Sequence, residues 1–310
     1  MPRLKLLWKA FKRRSIGIIV LSVAYIIARV PQKYADFLAR FLGKAVYRLS
    51  KKTRERILNN LILVYGDSMD EHVRHEMALK ICLNLAFHIV ESVRLAVIGP
   101  EMVRMMIDDN QCEEILNAHL EAGKSIMIVT AHYGNWELFA ARIAQIAPLT
   151  VLARRNNNPY IEAAIARARE KHRVRVLDRS DPGTPREMIQ MGHEGGHIVG
   201  ILVDQDTIKI QGIFSNFMGL PALTPSGPAA VAIRQLFTVF IGVLKPIADH
   251  KHKIILNGPI PIPTNGSREQ KIQLLTDIFN QHLSDIILED PLYWVWNHRR
   301  WRHRPEASGN

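Results

Sequence analysis

The stretch IVTAHYGNWELF, residues 128–139, sets His132 and Glu137 in an H-x4-E spacing. An imidazole beside a carboxylate is the basic apparatus of general-base catalysis. The carboxylate fixes one ring nitrogen as N–H, and the other is left to take a proton from an alcohol. The spacing is unspecific: with 13 His in the chain, roughly one match is expected by chance, and His132 is the His that has it. Context gives it weight. SIMIVTA (125–131) is a short apolar, β-branched run that reads as a buried strand. His132 follows at its end, where open α/β sheets collect ligand-handling groups. Gly134 permits a tight backbone, and NWELFAARIAQIA begins a helix. Five helical positions turn about 500°, so the pair can meet only if His132 precedes the helix and Glu137 reaches back to it.

HEGGH (193–197) is the rival, since it matches the H-E-x-x-H zinc signature. That chemistry needs both histidines on one helical turn. Gly195 and Gly196 would each cost about 1 kcal/mol in a helix, and the following HIVGILVD reads as a strand. The preferred reading is therefore a turn, with no metal and no cofactor. A zinc hydrolase using His193 and His197 is the alternative chemistry.

The elements that must position these residues are legible from periodicity. ADFLARFLGKAVYRLS opens a helical stretch over 35–66, and 70–98 repeats Met77, Ile81, Leu85, Ile89 and Val93 every four residues. His88 and Glu91 fall there as helix-face residues. From about residue 112 strands and helices alternate. A helix ends at Gly123, then come the strand 125–131, a helix, the strand LTVLA, the helix PYIEAAIARAREKH, the strand VRVLD, the helix TPREMIQMG and the strand HIVGILVD. LFTVFIGVLK, HKIILNG and a helix near 267–288 follow. This alternation predicts an α/β fold with a largely buried sheet.

The charge is uneven. Residues 1–56 hold fifteen Lys/Arg against Asp36 and Glu55, leaving the other 254 residues close to neutral in a chain of net charge +12. A nucleic-acid reader carries its basic footprint on the folded face that meets phosphates; here the excess lies in an N-terminal arm, so no nucleic acid is expected. Arg3, Lys5, Lys9, Lys12, Arg13 and Arg14 precede SIGIIVLSVAYIIARV (15–30). No small-residue cleavage site follows, and the run is short of the about 20 apolar residues that span a bilayer. The expectation is a helix inserted in, or shallowly across, the cytoplasmic leaflet, its cations on anionic headgroups at about 1 kcal/mol each; a buried soluble helix is the alternative. Two cysteines, Cys82 and Cys112, make no disulfide framework. The chain thus divides into a basic, apolar membrane-anchoring segment (1–34), a helical region (35–111), an α/β domain (112–304) and a short tail (305–310).

AHYGNWE, RRNNNP, LVDQD, FMGLPALTPSGPA and YWVWNHRRWRHRP occur in this order. Over about 35–304 the set resembles the bacterial lipid A late acyltransferases, lauroyl and myristoyl transferases of the lysophospholipid acyltransferase superfamily. The resemblance implies a mixed central sheet flanked by helices, as in glycerolphosphate acyltransferases, at the cytoplasmic face of a bacterial inner membrane. It implies transfer of a fatty acyl chain from acyl-carrier protein to a hydroxyl of an anionic glycolipid, a lipid A precursor, by direct attack without an acyl-enzyme; acyl-CoA donors and lysophospholipid or glycolipid acceptors occur in the same superfamily. His132 would be the base and Glu137 its orienting partner. By the same resemblance the Arg after NNNP and the Asp opening DQD belong to the site, best matched by Arg169 and Asp204, with Arg167 and Arg173 nearby. Asp204 also reads simply as a strand-end carboxylate holding an Arg. Arg154 and Arg155 could hold phosphates or form a solvated charge pair, and Asn156–Asn158 could be only a turn. Thr224 and Ser226 read as helix caps. NHRRW could bind lipid phosphates with Trp294, Trp296 and Trp301 at headgroup level, or the tryptophans pack on the core and leave the arginines solvated.

Overall fold

The structure, a computed structural model, describes residues 2–248 and 250–305. The tail 306–310 and the side chains of Arg3, Lys5, Lys9 and Lys12 lie outside the described part. Five helices come first: α1 (Pro2–Arg29), α2 (Gln32–Leu49), α3 (Lys51–Tyr65), α4 (Glu71–Arg94) and α5 (Pro100–Met106). Then follow β1 (Ile107–Asp108), α6 (Cys112–Glu121), β2 (Ser125–Thr130), α7 (Trp136–Ile143), β3 (Leu149–Ala153), α8 (Pro159–Lys171), β4 (Val174–Asp178), α9 (Thr184–Glu194) and β5 (Ile198–Leu202). The chain continues through β6 (Gly212–Phe217), β7 (Leu220–Pro225), α10 (Gly227–Ala232), β8 (Phe237–Ala248), β9 (Lys251–Asn257) and α11 (Arg268–Glu289).

Seven strands form one sheet in the order β1-β9-β8-β2-β5-β3-β4. Its pairs are parallel except β8–β9. β2 lies in the middle with every residue buried, which explains why its sequence is a continuous apolar run rather than an alternating one. Helices cover both faces. On one, Met127, Val129, Val199 and Val239 pack with Ile57, Leu61, Phe279, Leu283 and the three tryptophans. On the other, Ile126, Ile128 and Ile198 pack with Leu116, Leu138 and Phe139. Each fully buried Leu, Ile or Phe contributes about 1.5–3 kcal/mol.

The local signals are realised chemically. Ser267 and Gln270 form a reciprocal capping box on α11, worth about 1 kcal/mol. Asn158 accepts from Tyr160 N at 3.1 Å and caps α8, and its own N–H donates to Asn156 Oδ1 at 2.8 Å, so NNNP is an Asx turn that starts a helix. Gly195 and Gly196 adopt φ of 73° and 72°. HEGGH is therefore the end of α9 and a turn into β5, and His193 and His197 do not share a helical turn. Four features depart from the sequence reading. Helix 35–66 breaks at Ser50 into α2 and α3. β1, inside the stretch read as helical, pairs with β9. The Gly/Pro-rich 219–229 supplies β7 of a hairpin with β6. Ser226 stands at the α10 N-cap position without a side-chain cap bond, and Thr224 is buried in a polar cluster instead.

α1 packs on α4 and α8. Arg94 ties its end by donating to the carbonyls of Ile27 and Val30 at 3.0 and 2.8 Å. Much of the rest of α1 is bare: Phe11, Ile18, Ile19, Val23 and Ile26 are exposed. Among the described residues no helix is long and apolar enough to cross a membrane.

Candidate active site

β2 and β5 are parallel neighbours with Thr130 opposite Leu202. Two residues beyond that pair, on each strand, come His132 and Asp204. The sheet register alone therefore brings together two side chains 72 positions apart. Asp204 accepts three hydrogen bonds: from the His132 backbone N–H to Oδ2 at 2.9 Å, from His132 Nδ1 to Oδ1 at 2.9 Å, and from Trp294 Nε1 to Oδ2 at 2.8 Å. The carboxylate is fully buried while the imidazole keeps 21 % of its surface open. Burial would raise the Asp204 carboxyl, but the His132 charge and the hydrogen bonds from His132 and Trp294 outweigh it and hold it at about 2. An ionised Asp204 can only accept, so Nδ1 must carry the proton and Nε2 presents its lone pair outward. Gln205 Nε2 lies 3.3 Å from that nitrogen and donates to it. Trp136 closes one side, edge-on to the ring at 4.9 Å between centroids.

Glu137 is elsewhere engaged. It sits in the first turn of α7, and its carboxylate takes a two-pronged ion pair from Arg169 on α8, Nε to Oε2 at 3.0 Å and Nη2 to Oε1 at 2.5 Å. The steering of His132 expected from Glu137 thus comes from Asp204. The physical reason is direction: helical phase aims the Glu137 carboxylate at α8, whereas Asp204 leaves a strand pointing along its neighbour. Of the neighbouring arginines, Arg169 is the one that reaches Glu137, while Arg167 donates to Ala163 O on its own helix. Burial would lower the Arg169 guanidinium, but the hydrogen bond and charge of Glu137 more than offset this and raise it. Arg154 and Arg155 are exposed at the end of β3, with Arg155 pairing with Asp178 at 3.3 Å.

The turn carrying His132 is clamped from several sides. Gly134 donates to Tyr293 O at 3.0 Å and bridges to Leu244, and Tyr133 bridges to Trp294. Gly134 has φ of 57°, and a Cβ there would come within 1.9 Å of the Leu244 carbonyl oxygen. Gly134→Ala is therefore expected to destabilise the protein by about 2–4 kcal/mol, read as a lowered midpoint in denaturant unfolding; an unchanged midpoint would mean that the turn is pliable. Asn135 caps α7 by accepting from Leu138 N at 3.0 Å, accepts from Ser92 Oγ at 2.9 Å, and donates to Glu91 at 2.8 Å. Glu91 in turn meets His252 at 3.0 Å and His250 at 3.8 Å. Burial opposes its ionisation, but the bonds from His250, His252 and Asn135 keep its carboxyl far below the ordinary range. Glu91, read from sequence as a helix-face residue, is thus a part-buried anchor of the turn that carries His132.

A family model of bacterial lipid A biosynthesis acyltransferases matches residues 8–303, almost the full length. The chain belongs to this family. It is an acyltransferase of lipid A biosynthesis, and it is 25% identical over 303 residues to the lipid A biosynthesis lauroyltransferase of Escherichia coli K12, covering 93% of this chain and 91% of the relative. Within this family member the DQD triplet has three separate tasks. Asp204 fixes Nδ1, Gln205 reaches Nε2, and the buried Asp206 binds Arg302 at 2.8 Å and His303 at 3.0 Å.

Gln205 and Asp206 escaped the sequence reading, as did the bond of Trp294 to Asp204; the nearest signal was their presence in the LVDQD and YWVWN stretches. Of the two positions left open for the tryptophans, headgroup level or core, the structure shows the core. Trp294, Trp296 and Trp301 are 2, 0 and 6 % exposed and pack in the core. Arg300 is buried with them, donating to Leu223 O and Thr224 Oγ1 at 2.7 and 2.6 Å, and burial lowers its guanidinium to about 10.

Proposed function

We propose that this acyltransferase moves a fatty acyl chain from the thioester of acyl-carrier protein to a hydroxyl of a lipid A precursor, with His132 as general base oriented by Asp204. The observation that carries this reading is the imidazole itself. Nδ1 is bonded to an ionised, fully buried carboxylate, and the ring as a whole keeps 21 % of its surface open. An acceptor hydroxyl displaces the Gln205 amide from Nε2. The hydroxyl gives its proton to Nε2 while its oxygen attacks the thioester carbonyl, and Asp204 stabilises the imidazolium that forms. The tetrahedral intermediate collapses with loss of the thiolate, which takes the proton back from Nε2. The displaced Gln205 amide is then within reach of the oxyanion. Glu137 holds Arg169 as a fixed cation at the first turn of α7, the helix that follows the His132 turn. Attack is direct in this reading, as the family resemblance implies, and it is supported by the inertness of the thiols: Cys82 and Cys112 are buried, and burial pushes them up to about 11 and about 12. The test is incubation of purified full chain with labelled acyl-carrier protein or acyl-CoA and a panel of lipid acceptors, with products read by mass. An acylated lipid A precursor is expected, and binding without turnover would make the chain a non-catalytic scaffold.

The same reading places the protein at the cytoplasmic face of the bacterial inner membrane through α1. Support comes from the exposed apolar residues of α1 and the basic residues flanking them. Because α1 is too weakly apolar to span, it lies in the interface rather than across the bilayer. Ile18→Asp with Ile19→Asp, both exposed, is expected to shift most of the protein from the membrane pellet to the soluble fraction while leaving the melting temperature unchanged. Unaltered sedimentation would remove α1 as the anchor.

A further inference from the structure

α3 and the C-terminal segment enclose an open groove of about 410 Å³, lined by Lys52, Glu55, Arg56, Arg299 and Arg302, with Trp301 among its walls. Four cations face one carboxylate. That carboxylate, Glu55, already meets Lys51 at 3.6 Å, and Arg302 is held by Asp206 at 2.8 Å. Among the described residues no carboxylate lies within ion-pair distance of Lys52, Arg56 or Arg299, and the one hydrogen bond of Arg56 goes to Asn297 O at 3.1 Å. Three uncompensated cations around one concavity repel each other, and the concave shape concentrates their field. Guanidinium groups match phosphate oxygens two at a time, with an ammonium as point charge. The groove is also rigidly tied to the base. Asn60 of α3 donates to the carbonyls of Trp296 and His298 at 2.7 and 2.8 Å. Trp301 packs on Trp294 at 6.1 Å between ring centroids, Trp294 donates to Asp204, and Asp204 holds His132.

We propose that the groove formed by Lys52, Arg56 and Arg299 is a phosphate-binding subsite that holds one substrate of the acyl transfer at a fixed position relative to His132, an inference that rests on the general-base reading above. Two substrates bring phosphate chemistry: the phosphopantetheine arm of the donor and a phosphorylated glycolipid acceptor. Lys52 and Arg299 are exposed, so the double variant K52A/R299A is expected to fold with an unchanged melting temperature. Full-length protein in detergent is titrated with holo- and apo-acyl-carrier protein, and with a glucosamine-based lipid acceptor bearing or lacking phosphate. A second pair, K80A/K124A, removes the same charge from exposed positions outside the groove. K52A/R299A is expected to raise Kd and KM about tenfold or more for one phosphate-bearing ligand, with kcat within about twofold, and to leave that ligand's phosphate-free counterpart unaffected. Loss of holo- but not apo-carrier affinity assigns the donor arm; loss for the phosphorylated acceptor alone assigns the lipid. Unchanged affinities overturn the subsite. So does equal weakening with and without phosphate, or an equal effect in K80A/K124A, since both mean general electrostatic attraction. His132→Ala serves as the parallel control, expected to bind normally and not turn over. Turnover by it would sink the general base and leave the binding result standing.

Discussion

Replacing His132 by alanine is expected to reduce acyl transfer by about 10³–10⁴-fold while leaving the fold intact. The fold expectation follows from position. The ring keeps 21 % of its surface open, so its removal leaves no sealed cavity, and the main-chain N–H that donates to Asp204 remains. The rate expectation follows from chemistry. A lipid alcohol is almost fully protonated at neutral pH and attacks a thioester slowly unless its proton is removed as the bond forms. Among the described residues the other imidazole near this centre, His298, is held at about 4, mainly by burial, and does not substitute. Steady-state kcat on the purified variant is the measurement. A loss of less than tenfold would mean that proton removal at Nε2 does not limit the reaction.

Asp204→Asn should be almost as damaging, and it separates two assignments of the orienting carboxylate. An asparagine is isosteric, and its Oδ1 can still accept from the His132 N–H and the Trp294 indole. The amide nitrogen then faces Nδ1 and donates to it, which places the proton on Nε2, the nitrogen that must be bare. A wrong tautomer costs about 10³–10⁴ in kcat. Glu137→Gln keeps its oxygen toward Arg169 and is expected to lose only about tenfold to a hundredfold, through a looser Arg169. Measured side by side, the two variants give an order. If Glu137→Gln falls as far as Asp204→Asn, or further, Glu137 recovers the steering role that the H-x4-E spacing suggested.

That contrast locates what the sequence could and could not reveal. Strands β2, β3, β4 and β5, and helices α7, α8 and α9 between them, were legible because each announces itself locally, by a short apolar run or a helical period. β1 has two residues, too few for any period. β6 and β7 were hidden by glycines and prolines, which a hairpin tolerates where a central strand does not. His132 was found because a strand end is a local feature. Its carboxylate was misassigned for the same reason: Glu137 is five residues away along the chain, whereas Asp204 becomes a neighbour only when β5 pairs with β2 in register. Arg169 and Asp204 entered through resemblance to the family. Glu91 and Gln205 depend on how α4 and the DQD loop pack, and no spacing rule encodes that.

The bond from Trp294 to Asp204 has a temporal consequence. During translation the residues that carry the base and its carboxylate leave the ribosome long before Trp294, Tyr293 and Arg302, which brace them from outside the sheet. A nascent chain that stops near residue 290 has both reacting groups yet lacks the indole that shields one and the carbonyl that pins the turn of the other. Competence is therefore conferred at the end of synthesis, and a half-made chain has no means to acylate what it meets.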